Sequence, residues 1–145
     1  MTVSWTVFNE TTGEILRTGF SLTEAQAALQ AFAGEKVTFV NSDPVTEVVQ
    51  NPGSAEPTIV TKPNNSIAAN KTSFLANGVD YVSISPIVAG SKVTILVPES
   101  QGISVIAPFV VNDGVLEITT TVAGAYSVTV TDFPKQDYVV TLNAT

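Results

Sequence analysis

The sequence predicts a mainly β protein, built as a small α+β module followed by a β-sandwich. It has 9 glycines, 8 prolines, many Thr, Ser and Val residues and only 13% charged residues, as is typical of chains dominated by strands and turns. One segment, about residues 21–33, has helical spacing, whereas short alternating segments recur elsewhere. The proline-rich residues 50–63 separate the two patterns. We therefore expect one domain over 1–62 and a second over 63–145.

The first module begins with a predicted strand hairpin. Residues 4–7 alternate, residues 9–13 supply turn residues, and residues 14–17 resume the strand. The later segment "KVTFVNSDPVTEVV" predicts two more strands, joined by a turn at Asp43 and Pro44. We expect a small antiparallel sheet of three or four strands with one helix on it.

The helix has start and stop signals of its own. Ser21 is the predicted N-cap, and Glu24, three residues later, would complete a capping box. Gly34 is the predicted stop. Apolar residues recur at helical spacing between them, at Leu22, Ala25, Leu29 and Phe32. This face is therefore expected to pack on the sheet.

Residues 63–145 repeat strand and turn at intervals of about 8–12 residues. Asn77-Gly78 and Asp113-Gly114 are predicted hairpin turns. About seven strands in roughly 80 residues is the size of an immunoglobulin-like sandwich, here without a cysteine pair.

The stretch "TVAGAYSVTV" predicts one corner of that sandwich. Gly124 gives the backbone freedom where the chain turns into a strand. Tyr126 then shares one face with Val128 and Val130, so its ring is expected in the core and its hydroxyl on a nearby backbone group, as in a tyrosine corner. The alternative, stacking of Tyr126 on a ligand such as a sugar, is disfavoured by that shared face.

Composition excludes several kinds of chemistry. The chain has no histidine and no cysteine, so it offers neither a Ser-His-Asp triad nor imidazole or thiolate metal ligands. Its net charge is −7 with six scattered basic residues, which argues against a nucleic-acid partner. No apolar run approaches the roughly 20 residues of a membrane helix, and we expect no secretion signal and no membrane partner.

The carboxylates and aromatics remain to be weighed. The acids lie mostly in turns or alternate with core positions, which does not suit the cleft of a glycosidase. Calcium ligation by Asp80, Asp113 and Asp132 stays open, although solvated turn acids are the favoured interpretation. Aromatic residues of the first module are expected to be core rather than a ligand patch; they are Trp5, Phe20, Phe32 and Phe39. We therefore predict no catalytic, cofactor-binding or metal-binding residue, no cofactor and no enzymatic activity.

Two strings of motifs carry a resemblance. The first module contains "TGEILR", "EAQAALQAFAGEKV", "DPVTEVV" and the exit "TKP", and it resembles a short module of tailed-bacteriophage virion proteins near tails and fibres. The second contains "TSFLANGVDYVSIS", "GSKVTILVP", "DGVLEITT", "AGAYSVTVTDFP" and "VVTLNAT". It resembles the immunoglobulin-like domains of phage particles and bacterial surfaces. Together the two resemblances span most of the chain.

The resemblance implies a non-enzymatic structural protein of a phage particle, assembled in the host cytoplasm and located on the virion. It implies either a tail or fibre association or capsid decoration. The expected partners are other virion proteins of the capsid or tail, or further copies of the chain as a homo-oligomer. The alternative is an adhesion module that binds carbohydrates or the host cell surface through residues 63–145.

Overall fold

The computed structural model describes residues 1–99 and 102–145 and is mainly β. The chain divides into two compact units, Met1–Pro63 and Asn64–Thr145, one residue beyond the predicted boundary. We call them the N-terminal and the C-terminal unit. The N-terminal unit contains one helix and five strands, which are β1 (Val3–Asn9), β2 (Ile15–Ser21), α1 (Glu24–Ala28), β3 (Glu35–Thr38), β4 (Glu47–Gln50) and β5 (Thr58–Thr61).

Strand β1 is the centre of the N-terminal unit. It pairs antiparallel with β2 on one side and β3 on the other. Trp5 and Val7 pack with Ala27 of α1 on one face. Because side chains alternate along a strand, Phe8 faces the other way and packs with Ile15 and Val49. Two small cores therefore lie on opposite faces of one strand.

The helix is shorter than predicted and begins later. Its N-cap is Thr23, whose side chain accepts a hydrogen bond from the N–H of Gln26. Ser21 is the last residue of β2, and its hydroxyl accepts a hydrogen bond of 2.9 Å from the indole N–H of Trp5. The predicted N-cap is therefore wrong, because strand pairing extends through Ser21, which lies opposite Val3.

The other helix signals shift with it. Glu24 is the first residue of the helix rather than the closing member of a capping box. The helix ends at Ala28, and Gly34, with φ of 80°, lies in the turn before β3. The Arg17 guanidinium donates to the carbonyl of Gln30, which holds the chain after Leu29 in a turn where the sequence predicted more helix.

The predicted linker over residues 50–63 is also wrong, because it contains strand β5. Strands β4 and β5 form an antiparallel hairpin in which Val49 lies opposite Ile59, and Ile59 packs against the core around Phe8. Two of the three prolines, Pro52 and Pro57, lie in the loop between these strands. These prolines do interrupt the regular structure, but they do so in a loop between two strands rather than in a linker between domains.

Over its described residues, the C-terminal unit is a two-sheet sandwich of eight strands. They are β6 (Ala68–Ala69), β7 (Ser73–Phe74), β8 (Val82–Ser85), β9 (Ser91–Glu99), β10 (Gly102–Val111), β11 (Leu116–Ile118), β12 (Gly124–Thr131) and β13 (Tyr138–Ala144). The larger sheet has the order β10-β9-β12-β13-β7 and the smaller sheet β11-β8-β6. All pairs are antiparallel except β13 with β7.

One core fills the space between the two sheets. The smaller sheet contributes Val82, Ile84, Leu116 and Ile118, and the larger sheet contributes mainly Val93, Ile95, Tyr126, Val128, Val130 and Leu142. The immunoglobulin-like prediction is thus confirmed at the level of a mainly β fold with face-to-face antiparallel sheets. The Asn77-Gly78 and Asp113-Gly114 turns exist, but they are not hairpins, because each joins strands of different sheets.

Candidate functional site

Three large apolar side chains at the ends of α1 are exposed. Leu22, Leu29 and Phe32 keep 70%, 77% and 70% of their surface accessible, although their spacing predicted a buried face. Ala27 is the buried residue of the helix. We call Leu22, Leu29 and Phe32 the helix-flank surface.

The phenyl ring of Phe32 is held in place by a charged pair beneath it. The guanidinium carbon of Arg17 lies 4.7 Å from the ring centroid, a cation–π distance. Arg17 also donates to Glu35 Oε1 at 3.1 Å, and Glu35 Oε2 accepts the backbone N–H of Phe32 at 2.9 Å. The ring is therefore exposed yet fixed, which lowers the entropy lost when a partner covers it.

The electrostatics of this pair favour a charged state for both members. The hydrogen bond with Arg17, together with the N–H of Phe32, lowers the pKa of Glu35. The hydrogen bond with Glu35 raises the pKa of Arg17. Both groups are therefore ionised at neutral pH, and the apolar helix-flank surface has a neutralised charge pair at its border.

The aromatic residues of the N-terminal unit do not form the common core that the sequence predicted. Trp5 is buried, but Phe20, Phe32 and Phe39 are exposed. Phe20 also points away from the helix, because its neighbour Gly19 faces Trp5. The prediction failed because the sheet and helix are too small to cover these rings.

The carboxylates considered as calcium ligands are either paired with a lysine or do not cluster with other acids. Asp80 forms an ion pair with Lys71, and Asp132 forms one of 3.2 Å with Lys135. Among residues 1–99 and 102–145, no group of three or more acidic side chains could hold a metal ion. Within the same residues, no helix is long and apolar enough to cross a membrane.

Tyr126 and Gly124, the two residues of the predicted sandwich corner, both make close contacts within the protein. The hydroxyl of Tyr126 donates to the carbonyl of Val122 at 2.7 Å and lies 2.8 Å from Thr120 Oγ1. Gly124 has φ of 146°, and a Cβ there would meet Pro98 at 2.6 Å. Tyr126 is buried in the core and also lies in the lining of an apolar cleft between the two sheets.

Exposed aromatics of the C-terminal unit are not gathered into one platform. Tyr81 and Phe133 keep 48% and 36% of their surface accessible. Tyr81 follows Asp80, whose carbonyl accepts from Thr119, beyond the Ile118 end of β11. Phe133 follows the end of β12, which pairs with the start of β9, so the two rings lie at opposite ends of the sandwich. They cannot contact one sugar ring together.

No family model and no curated protein matches the chain. Among solved structures, the chain is similar to a glycosyl hydrolase family 2 member from Bacteroides cellulosilyticus, with 14% identity and a TM-score of 0.33. The match covers 98% of this chain and 21% of that one, so the chain spans about a fifth of that protein's length. Similarity at this level carries no inference about function.

Proposed function

We propose that the protein is a non-enzymatic structural component of a bacteriophage particle, associated with the tail or fibre or decorating the capsid, that acts through protein–protein contacts. The observation that carries the contact role is the helix-flank surface. Three large apolar side chains stay exposed within a small unit, one of them a ring held by Arg17. Aromatic and apolar residues are enriched at the centres of protein interfaces.

The phage assignment is supported by the motif resemblance of both units. A small unit with an exposed apolar surface suits docking on a larger assembly, and many copies on a symmetric particle would strengthen weak contacts by avidity. Adhesion to host glycans has less support, since Tyr81 and Phe133 lie apart. A hydrolase function has no support, because the acidic side chains of the described residues either form ion pairs or do not gather into a cluster.

The test is incorporation into particles. A phage lacking the gene would be complemented with the wild-type chain or with Leu29→Glu, and purified particles would be analysed by mass spectrometry and electron microscopy. We expect Leu29→Glu to lower the bound copy number at least tenfold, because a charge would be buried at the contact. Val79→Glu is the matched control, as Val79 is an equally exposed residue of the C-terminal unit.

Absence of the wild-type protein from purified particles would overturn the structural role. Equal incorporation of Leu29→Glu would leave the role standing but remove the helix-flank surface as its docking site. Binding of the chain to a glycan array, with no binding to particles, would favour adhesion instead.

A further inference from the structure

An apolar cleft opens between the two sheets of the C-terminal unit, with a volume of about 530 Å³. One wall is formed by β9 and β10, through Ile95, Val97 and Ile106, and the other by β11 and the segment after it, through Ile118 and Val122. Ile95 and Ile118 also belong to the core. The cleft is therefore an open side of the core rather than a surface depression.

Both walls of the cleft end in an edge strand. Strand β10 is the last strand of the larger sheet, and β11 is the last strand of the smaller one. The backbone of an edge strand can pair with a further strand. A cleft bounded by two edges has a shape that suits an extended chain.

The two edges differ in what they offer to such a chain. Pairing of β10 with β9 is interrupted between Ile106 and Phe109, and Pro108 in that interval has no N–H to donate. A bulge and an edge proline are recognised protection against strand addition. Strand β11, Leu116–Ile118, contains neither. Addition is therefore directed to β11, within the smaller sheet.

Charge at the cleft indicates the chemistry of the partner. Among the residues whose side chains the structure describes, the charged one in the cleft lining is Glu117, and its side chain is exposed. Within the described part of the chain it takes part in no ion pair. A basic side chain opposite it on an added strand would form a favourable cross-strand pair. A second copy of this chain is a poor candidate, because each copy has a net charge of −7.

We infer that this cleft binds an extended segment of another protein, which adds to the free edge of β11. The segment inserts alternate apolar side chains between the sheets and places a Lys or Arg opposite Glu117. This inference is independent of the phage assignment, since it depends on the cleft alone. The helix-flank surface belongs to the other unit and is a separate contact.

The experiment uses the full chain, labelled with ¹⁵N, and a panel of capped nine-residue peptides. The peptides alternate Val, Ile, Leu or Phe with Thr and have either Lys or Glu at the centre. We expect Lys-centred peptides to shift the amide resonances of Leu116–Ile118 and to bind about fivefold more tightly than their Glu-centred counterparts. Glu117→Lys should reverse that preference.

Two further measurements separate strand addition from general stickiness. Peptides that are N-methylated at alternate residues keep their side chains but lose the backbone N–H donors along one edge. In one of the two methylation registers, the peptide that binds most tightly without methylation should lose at least tenfold in affinity. Val122→Lys should weaken binding about tenfold or more, as it places a charge in the apolar cleft. Val139→Lys is the matched control, because Val122 and Val139 are 54% and 61% exposed and only Val122 lines the cleft.

Three results would each overturn the proposal. They are no resonance shift at β11 with any peptide at millimolar concentration, equal affinity of methylated and unmethylated peptides in both registers, and equal loss of binding in Val122→Lys and Val139→Lys. The first two use the wild-type chain, so they stand even if a variant fails to fold.

Discussion

At the scale of single residues, the corner tyrosine has the clearest measurable role. We expect Tyr126→Phe to lower the free energy of unfolding by about 1–2 kcal/mol, because the buried bond to the carbonyl of Val122 is lost. Urea denaturation followed by circular dichroism measures the change. Tyr81→Phe is the matched control, since Tyr81 is half exposed, and it should change stability by less than about 0.5 kcal/mol. Equal effects of the two substitutions would contradict the assigned role.

Gly19 has a packing role that its position in a strand does not reveal. A Cβ at Gly19 would lie 2.5 Å from the ring of Trp5, so Gly19→Ala must displace the indole from the core beside Ala27. We expect a loss of about 1–3 kcal/mol and a red-shifted emission from Trp5, the one tryptophan of the chain. Gly53→Ala, with open space around its Cβ position, should leave both quantities unchanged. An unshifted emission in Gly19→Ala would contradict the assigned contact.

At the scale of elements, the cap of α1 can be tested against the neighbouring strand end. Thr23→Ala should lower stability by about 1 kcal/mol, because the N–H of Gln26 loses its acceptor, and should leave Trp5 emission unchanged. Ser21→Ala should instead alter that emission, because the indole N–H loses its acceptor. Chemical denaturation and fluorescence of the two variants check both statements. If Ser21→Ala lowered stability without changing Trp5 emission, and Thr23→Ala altered that emission, Ser21 would be the N-cap instead.

The helix shows where sequence reasoning succeeds and where it stops. Ser21 is followed three residues later by Glu24, and Thr23 by Gln26, so both pairs satisfy the same local rule. What selects Thr23 is the pairing of Ser21 with Val3, which is a non-local contact. The position of Tyr126 at the start of its strand, by contrast, follows from local alternation. Local signals thus predicted element type better than element ends.

The two candidate interaction sites were not predictable from local pattern. The exposure of Leu29 and Phe32 depends on how little of the helix the sheet covers, and their spacing alone predicts burial. The cleft beside β11 depends on which strands end each sheet, and no short segment encodes that. The absence of His and Cys excludes imidazole- and thiolate-dependent chemistry from composition alone, because that inference needs no geometry.

At the scale of the whole molecule, carboxylates in both units make stability sensitive to acid. The pKa of Glu35 is lowered by Arg17, that of Asp43 by the N–H of Val45 and the hydroxyl of Thr46, and that of Asp80 by Lys71. A lowered pKa in the folded state means that the unfolded chain takes up protons first. This stabilisation is full above the ordinary carboxyl pKa of about 4 and is lost as pH falls through the folded values.

We therefore expect the urea midpoint to be steady from pH 7 to pH 5 and to fall between about pH 4 and pH 2. Asp80→Asn should be less stable at neutral pH and should lose less on acidification, because one of the three linked groups is gone. A midpoint that rises below pH 4, or an identical acid response in Asp80→Asn, would contradict this account.

The loop over residues 51–57 has a practical consequence for genetic engineering. Its two ends are fixed by the pairing of Gln50 with Thr58, its tip is exposed, and a side chain at Gly53 would meet open space. An epitope tag inserted after Ser54 should therefore be tolerated. None of residues 51–57 belongs to the helix-flank surface or to the lining of the cleft, so the tag would let an antibody mark each copy of the protein without replacing a residue of either candidate contact.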